Sequence, residues 1–357
     1  MTMEKLSEKK WDEFALEDIF TVSAGKRLET RNKVPGKRPF VGATEGGNGV
    51  TGFVGNDNAS KDSNVLGVNY NGAPCIAFYH PYECIFTDDV KRLHLKEHVD
   101  DRDTLLFFAE VFAGQRLKYS YGYKFKEKRM LRQKLMLPVT DSGKPDYEYM
   151  AEYTKQTREK LLARYREYAE KRIAELGKEV EIPALSEKEW EHFRVSDVFS
   201  KIQRGKRLKN ADHIPGEIPY VSSTANNNGV DDYIEASQGT RVFKDCISLA
   251  NSGSVGTAFY EPFSFVASDH VTSLKMENGS KFVYLFLVST IEKQSSNFNF
   301  NREINDLRIK KMQVMLPVTD SGDPDYEYME QYAKNMMLRK YKKYLTFIGN
   351  HGEVRNV

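Results

Sequence analysis

The sequence predicts an α+β protein in which two tandem mixed domains alternate with two long amphipathic helices. The first supporting observation is a duplication, since Met136–Met150 (MLPVTDSGKPDYEYM) returns about 180 residues later as Met315–Met329 (MLPVTDSGDPDYEYM). Shorter segments return at nearly the same interval. A repeat of this length indicates a duplicated domain and not a solenoid unit. The chain of 357 residues is long enough for two domains, each with its own core.

The second observation is that each half of the chain has two unlike parts. The first part is rich in Gly, Asn, Pro and aromatic residues, and its short apolar runs between turn residues are typical of short strands and loops. Helices are predicted inside these parts at Trp11 to Phe20, Thr104 to Phe112 and Phe282 to Glu292. The second part of each half, from Pro145 to about Leu176 and from Pro324 to about Ile348, has no glycine, and no proline after its first residue. We therefore predict domains at 1–144 and 180–323, a spacer helix at 145–179, and a second spacer helix with a C-terminal tail at 324–357.

The third observation is the pattern of the two spacer helices. We place Pro145 and Pro324 at the first helical position, because proline loses no hydrogen bond there and the acids that follow favour the positive end of the helix dipole. Gly177 is predicted to end the first helix. About thirty residues at 1.5 Å each make a rod of roughly 45 Å, which suits a spacer.

Apolar and aromatic residues recur every three or four positions along both spacer helices. We predict that these stripes pair the helices as an antiparallel coiled coil with pseudo-twofold symmetry and bind partner subunits. The alternative is that each helix packs on its own domain. The stripe residues assigned to partner binding are Met150, Tyr153, Leu161, Tyr165, Tyr168, Met329, Tyr332, Met336 and Tyr344.

Composition restricts the class of protein. A hydrophobic content of 40%, a charged content of 29% and the absence of a long apolar run indicate a protein that does not span a membrane. The N-terminus lacks the apolar core of a signal peptide, so a cytoplasmic location is expected. The three cysteines are expected to be reduced and mostly buried. No CxxC or His/Cys cluster predicts a metal site, and no phosphate loop or catalytic arrangement is evident, so we expect neither a bound cofactor nor catalysis.

Two kinds of segment are candidates for contact with nucleic acid. Between Gln115 and Lys134, eight basic residues stand against one acid and alternate with aromatics, a pattern that suits contact with phosphates, sugars and bases. An ordinary solvated strand and helix face is the alternative. In each half a glycine followed by Lys-Arg suits a turn whose backbone N–H groups approach a phosphate, and Asn-rich turns suit adenine recognition, although such turns are also common without a ligand. The candidate DNA-binding residues are Lys26, Arg27, Asn48, Lys118, Tyr121, Lys124, Lys206, Arg207, Asn226, Asn227, Asn228, His270, Asn299, Asn301 and Arg302.

These motifs, in this order and duplicated, resemble the specificity subunit of type I restriction–modification systems, and in particular the related B subunit of BcgI-like type IIB systems. The resemblance covers essentially the whole chain. It is carried by Trp11 through Phe20 and Trp190 through Phe199, by the two Gly-Lys-Arg-Leu segments, by Ser268-Asp269-His270-Val271, and by the closing segments Tyr119 to Pro138 and Phe298 to Pro317. The first half departs from the pattern, because it has Asp89 where the second half has His270.

The resemblance implies two target-recognition domains, each reading one half of a split site on double-stranded DNA. It also implies helices that set the separation of the half-sites and bind methyltransferase (modification) subunits, which would bring S-adenosylmethionine, possibly with a fused or separate nuclease subunit. The subunit itself would be non-catalytic, and loops that differ between the halves predict an asymmetric target. Two other interpretations remain open: a DNA-binding adaptor or regulator outside restriction–modification, and a duplicated carbohydrate-binding protein.

Overall fold

We analysed a computed structural model, which describes residues 4–119, 125–237, 239–294 and 303–351. The chain divides into two compact units, Met1–Tyr165 and Arg166–Val357. Both units mix helices with mostly antiparallel sheets, so the predicted α+β class is confirmed.

The first unit contains a four-stranded antiparallel sheet, a three-stranded sheet and a two-stranded ribbon. The sheet orders are β2-β8-β5-β6, β4-β3-β7 and β1-β9. Its strands are β1 (Trp11–Ala15), β2 (Phe20–Ala24), β3 (Pro35–Val41), β4 (Val50–Val54), β5 (Val65–Asn69), β6 (Ala77–His80), β7 (Ile85–Phe86), β8 (Val90–Leu95) and β9 (Lys134–Pro138). Its helices are α1 (Leu16–Ile19), α2 (Arg102–Ala113), α3 (Glu127–Leu131) and the start of α4 (Tyr147–Leu176).

The second unit repeats this topology and adds one edge strand. The sheet orders are β11-β18-β15-β16, β13-β12-β17-β14 and β10-β19. Its strands are β10 (Trp190–Arg194), β11 (Lys201–Arg204), β12 (Pro215–Val221), β13 (Val230–Ile234), β14 (Val242–Phe243), β15 (Cys246–Ala250), β16 (Ala258–Glu261), β17 (Phe265–Ala267), β18 (Val271–Lys275) and β19 (Gln313–Pro317). Its helices are the end of α4, α5 (Val195–Val198), α6 (Lys281–Gln294), α7 (Asp306–Lys311) and α8 (Tyr326–His351).

The predicted helices at Thr104 to Phe112 and Phe282 to Glu292 are confirmed as α2 and α6. The predicted helix from Trp11 to Phe20 is wrong. Trp11–Ala15 is a strand that pairs with β9, with Trp11 opposite Pro138, and only the single turn Leu16–Ile19 is helical. Pairing with a strand distant in sequence decides the conformation here, and no local pattern reports it.

The spacer helices begin at Tyr147 and Tyr326, two residues later than proline at the first position requires, so that prediction is also wrong. Pro145 and Pro324 each form a β-bridge, with Val139 and Val318 respectively. The side chain of the next residue caps the helix, since Asp146 Oδ1 accepts from Tyr149 N at 3.0 Å and the same bond recurs at Asp325 in the second copy. At the other end of α4, Gly177 has φ +78°, which confirms the predicted glycine stop.

Each spacer helix is anchored at its start in the core of its own unit, which contradicts part of the predicted partner-binding stripe. Met150 and Met329 are fully buried in the two main cores, and Tyr153 and Tyr332 pack against those cores. Met150 and Met329 are therefore unavailable to a partner, whereas Tyr153 and Tyr332 are only partly buried and their role in partner binding stays a prediction. A stripe of apolar residues has the same periodicity whether it faces its own domain or another helix.

Each unit has one large core beside its four-stranded sheet, packed against α2 in the first unit and against α6 in the second. Phe20, Phe108 and Phe112 are fully or almost fully buried in the first, and Phe20 meets Phe108 edge-on at 4.7 Å between ring centroids. Edge-to-face contacts of this kind stabilise a core beyond the area that they bury. All three cysteines are free and buried, as expected, and burial raises the pKa of the Cys75 and Cys84 thiols to about 12. No helix in the described residues is long and apolar enough to cross a membrane.

Candidate nucleic-acid interface

Three loops meet at one edge of each unit. In the first unit we call residues 42–49, 69–76 and 87–90 the first loop rim. Asn69 Nδ2 donates to Thr44 O at 3.0 Å, and Tyr70 N donates to Asp89 O at 3.1 Å, so the three loops are joined by hydrogen bonds. The rim is therefore a connected surface of the kind on which binding residues are commonly placed.

The second unit carries the equivalent surface. Residues 222–229, 250–257 and 268–271 form the second loop rim. Ser254 N donates to Ser223 O at 3.1 Å, and Asn251 N donates to His270 O at 2.8 Å. The same frame thus presents two loop rims with different side chains.

The Gly-Lys-Arg segments lie beside these rims, where close backbone packing requires glycine. A Cβ atom on Gly25 would lie 1.9 Å from Thr87 O, and one on Gly205 would lie 2.1 Å from Ser268 O. No other residue fits either position without moving the neighbouring loop.

Two of the backbone N–H groups in these segments are not available to a phosphate. Lys26 N donates to Phe86 O at 2.9 Å, and Lys206 N donates to Ala267 O at 3.1 Å, so both groups are already bonded within the fold. The side chains differ from the backbone in this respect. Lys26, Arg27, Lys206 and Arg207 are exposed, and among the described residues their side chains form no ion pair or hydrogen bond. Free, exposed cations next to the rims suit contact with phosphate through the side chain.

The Asn-rich turns lie at the tips of the two rims. Asn48 has φ +54° and Asn228 has φ +53°, and each follows a second residue with positive φ, Gly47 or Asn227. Asparagine tolerates this conformation better than most residues, which explains part of its presence. Asn226, Asn227 and Asn228 are exposed. The side chain of Asn48 is held instead, because its Nδ2 donates to Tyr82 Oη at 2.9 Å.

His270 occupies the second rim at the place that Asp89 occupies in the first. Asp89 Oδ1 accepts from Asn71 Nδ2 at 2.8 Å, whereas the His270 ring bonds through Nδ1 to the Ser252 hydroxyl at 2.5 Å. His270 remains about half exposed, with a side-chain relative accessibility of 51%. The first half therefore keeps the contact between these two loops while it replaces both partners, which explains why its sequence lacks the histidine.

A second exchange lies inside the units, at the end of β6 and β16. His80 is fully buried and packs on Phe86, with ring centroids 5.3 Å apart, and neither of its ring nitrogens has a hydrogen-bond partner in the described part of the chain. The equivalent residue, Glu261, is also fully buried and accepts from the Ser248 hydroxyl at 2.9 Å. Burial lowers the pKa of His80 to about 4 and raises the pKa of Glu261 to about 7, since a charge is costly in an apolar interior.

The remaining candidates fall in or beside segments outside the described residues. Lys118 is exposed in the single 3₁₀ turn Arg116–Lys118 after α2. Tyr119 packs on Phe125 at 4.6 Å between ring centroids, as expected for a packing aromatic. The candidates that lie outside the described residues are Tyr121, Lys124, Asn299, Asn301 and Arg302.

In the second unit, the end of α4 contacts α8. The rings of Tyr168 and Tyr341 meet edge-on at 6.1 Å between centroids, and their hydroxyls are 3.4 Å apart. Twelve residues further on, Val180 contacts Asn335. The partner number falls as the chain number rises, so these segments run antiparallel, which agrees with the predicted direction of helix pairing.

The other stripe residues have varied surroundings. Leu161 is exposed, Tyr165 is half-buried, and Tyr344 is exposed and stacks on Phe347. Met336 lines an apolar groove between α6 and α8 together with Trp190 and Leu285. Whether these residues bind a partner stays a prediction.

A family model decides how the two rims are interpreted. The model described as type I restriction modification DNA specificity domain matches residues 8–164 and again residues 187–345. The chain belongs to this family. The two matches reproduce the internal duplication, so the chain contains two copies of the specificity domain.

One curated protein and two solved structures are similar to this chain. A protein of Heyndrickxia coagulans described as type II restriction enzyme BgcI specificity subunit S.BcgI is 44% identical over 162 residues, which are 45% of this chain and 48% of that protein. The match therefore spans about half the length of that curated relative. The type I restriction-modification S subunit from M. genitalium is 15% identical, with a TM-score of 0.48 and coverage of 98% of this chain and 96% of that one. The HsdS subunit from Thermoanaerobacter tengcongensis is 12% identical, with a TM-score of 0.33 over 93% and 91% of the two chains.

Sequence reasoning missed several residues of the specificity-domain rims. Asn71 and Ser252 contact the Asp89 and His270 positions, yet neither belongs to a motif. A comparison of the two halves would have found them, since both loop positions change together between copies. In the described residues, no group of three or more His, Cys, Asp or Glu side chains is arranged to hold a metal ion.

Proposed function

We propose that this chain is the non-catalytic DNA sequence-specificity subunit of a restriction–modification complex. Each half would read one half of a split, asymmetric target on double-stranded DNA. The observation that carries the proposal is one frame with two different rims, since Asn71 and Asp89 in the first half are replaced by Ser252 and His270 in the second. Polar side chains that differ on otherwise equivalent loops are what two different base sequences require, and His270 is the exposed member of these four residues.

The proposed division of labour follows from exposure and pairing. Lys26, Arg27, Lys206 and Arg207 are exposed and unpaired, so they suit the phosphate contacts that give affinity without sequence preference. Asn226, Asn227, Asn228 and His270 lie at the second rim and suit base edges, since Asn pairs bidentately with adenine. In the second unit, Lys206 and Arg207 lie beside the rim that carries the three Asn residues and His270, as a DNA-facing surface requires.

The partners are proposed from the family. We propose that adenine methyltransferase subunits bind the chain through its long helices and bring S-adenosylmethionine, with a nuclease activity joined or fused to them. The chain would act with them in the cytoplasm. Catalysis would then reside in the partners, and the chain would determine the DNA sequence on which they act.

The test is to map methylated adenines in DNA from cells that express the chain with its modification subunit. We expect two different half-sites at a fixed separation, and neither methyl transfer nor cleavage by the purified chain alone. Methyl transfer by the chain free of partner would contradict the proposal. A tightly bound oligosaccharide, together with no preference for any duplex sequence, would instead support a carbohydrate-binding protein.

A further inference from the structure

The first loop rim carries an ion pair between two exposed side chains. Arg116 Nη2 donates to Glu45 Oε1, and both side chains are exposed to solvent, at 46% and 55% relative accessibility. Glu45 stands next to the Gly46–Gly49 turn of the rim, and Arg116 opens the 3₁₀ turn that follows α2. The pair therefore connects the rim to the start of the basic segment.

The backbone on both sides of this pair is fixed. Thr44 O accepts from Asn69 Nδ2 at 3.0 Å, and Gly46 N donates to Thr44 Oγ1 at 3.4 Å. On the other side, Gln115 N donates to Phe112 O at 2.9 Å, so the chain before Arg116 continues from the end of α2. The carboxylate and the guanidinium are thus held near each other by ordered elements that belong to different parts of the unit.

The chemistry of the pair is complementary to one base pair. In the major groove a G·C pair presents two acceptors on guanine, N7 and O6, beside the N4 amino donor of cytosine. A guanidinium matches the two acceptors with two parallel N–H groups, and a carboxylate accepts from the amino group. A free phosphate-binding arginine has no need of an adjacent carboxylate, which would repel the phosphate.

The second half provides a contrast. Ala225 stands at the place of Glu45, between Thr224 and Asn226, so the second rim has no carboxylate there. The feature therefore belongs to one half and not to the shared frame. This difference is what a determinant of half-site specificity should show.

We infer that Glu45 and Arg116 together read a single G·C base pair in the half-site recognised by the first unit. Arg116 donates to guanine O6 and N7, and Glu45 accepts from cytosine N4 of that pair. In the free protein the two side chains pair with each other, which keeps the arginine fork close to its reading position. The inference rests on the proposed function and specifies the base that one part of that site recognises.

The test selects bound sequences from a random duplex DNA library with the full chain in complex with its modification subunit. The variants are Glu45→Gln and Arg116→Lys, which alter the carboxylate and the planar fork with little change in size. Glu175→Gln is the matched control, because Glu175 also pairs with an arginine, Arg172, but lies on α4 and belongs to neither rim. Thermal unfolding of each variant checks that the fold is retained.

We expect the wild type to show a strong G·C preference at one position. This preference should fall by tenfold or more in Glu45→Gln and in Arg116→Lys, with the other half-site unchanged. The control should select the wild-type target. Equal gains in affinity for all duplexes with Glu45→Gln would overturn the inference, because Glu45 would then only restrain a phosphate-binding arginine. An unchanged target in both rim variants would overturn it as well. Absence of any selected sequence with the wild type would instead contradict the proposed function itself.

Discussion

Asn335 and Val180 are joined by two hydrogen bonds, in which one side-chain amide pairs with the backbone of one residue. Asn335 Nδ2 donates to Val180 O at 2.7 Å, and Val180 N donates to Asn335 Oδ1 at 3.2 Å. Asn335 is buried on α8, and Val180 lies three residues after Gly177, where α4 has ended. The link that leads from α4 into the second domain is therefore fastened to the second long helix.

Asn335→Ala should destabilise the second unit by about 1–3 kcal/mol, because two partly buried hydrogen bonds to Val180 are lost and each contributes roughly 0.5–1.5 kcal/mol. Urea unfolding followed by peptide-resolved pulse hydrogen exchange measures this loss around residues 178–182. Gln156→Ala is the matched control, since Gln156 stands at the equivalent helix position of the first half and bonds only to Glu152 on its own helix. An equal effect of both substitutions would show that the Val180 contact contributes nothing beyond helix formation.

Glu261 in the second unit and His80 in the first are both buried. They should make the stability of the two units change with pH in opposite directions. The folded pKa of Glu261, about 7, exceeds the ordinary value of 4.5, so its contribution to stability is complete below pH 4.5 and is lost as the pH rises through 7. Glu261→Gln should therefore stabilise the second unit at pH 8, by on the order of 1–3 kcal/mol, and leave it nearly unchanged at pH 4.5. Urea unfolding at both pH values, resolved by unit, measures the difference from the wild type.

The contribution of His80 to stability changes with pH in the opposite direction. Its folded pKa of about 4 lies below the ordinary value of 6.5, so its contribution is complete above pH 6.5 and is lost as the pH falls through 4. His80→Leu should make the first unit less sensitive to acid between these values, by the same measurement. If this variant instead followed the wild type down to pH 4, His80 would not be buried in its neutral form.

Substitutions at the second rim should separate affinity from sequence preference. Asn226→Ala and Asn227→Ala should relax one half-site, with a cost of about 1–3 kcal/mol of discrimination if a bidentate base contact is lost. Lys206→Ala and Arg207→Ala should weaken binding to all duplexes and reduce its salt dependence. Binding isotherms at several salt concentrations, with target and unrelated duplexes, test both outcomes. A changed half-site on loss of Lys206, with its salt dependence intact, would reverse the two assignments.

The length of α4 should set the gap between the half-sites. Four helix-forming residues inserted near Lys160 lengthen the helix by about 6 Å at 1.5 Å per residue. One base pair rises about 3.4 Å, so we expect the unread gap to grow by roughly two base pairs while both half-site sequences stay unchanged. Methylation mapping of the insertion variant reads the gap directly, and the original gap with full activity would show that α4 does not measure it.

The sequence predicted the parts of the fold that depend on local periodicity. The helices α2, α4, α6 and α8 follow from apolar spacing and from the lack of glycine and proline in the long segments. Trp11–Ala15 was misassigned, because its strand conformation depends on β9 more than a hundred residues away. The burial of Met150 could not be separated from helix pairing, since both place an apolar residue on the same face.

The sequence predicts the residues of the candidate site that belong to a recognisable motif. It does not predict the residues that meet only through contacts between distant parts of the chain. The exposed Lys-Arg pairs and Asn-rich turns follow from their motifs. The ion pair of Glu45 with Arg116 joins residues 71 positions apart in the chain, and nothing in either local sequence indicates that they meet. Long-range pairing of this kind appears only when the loops are folded together.

The ribbon of β1 and β9 has a consequence for how such chains change. Because the first and last strands of each domain are bonded to each other, the chain leaves a domain beside the point where it came in. An entire domain can then be exchanged while the contacts outside it, such as Lys9 with Asp146 at 2.8 Å and Lys188 with Asp325 at 2.8 Å, keep their geometry. Met136–Met150 and Met315–Met329 differ at a single residue, so recombination between them would add or remove one domain with its helix and preserve the reading frame. Under the proposed function, the duplication therefore also gives this protein a route to a new target in a single genetic event.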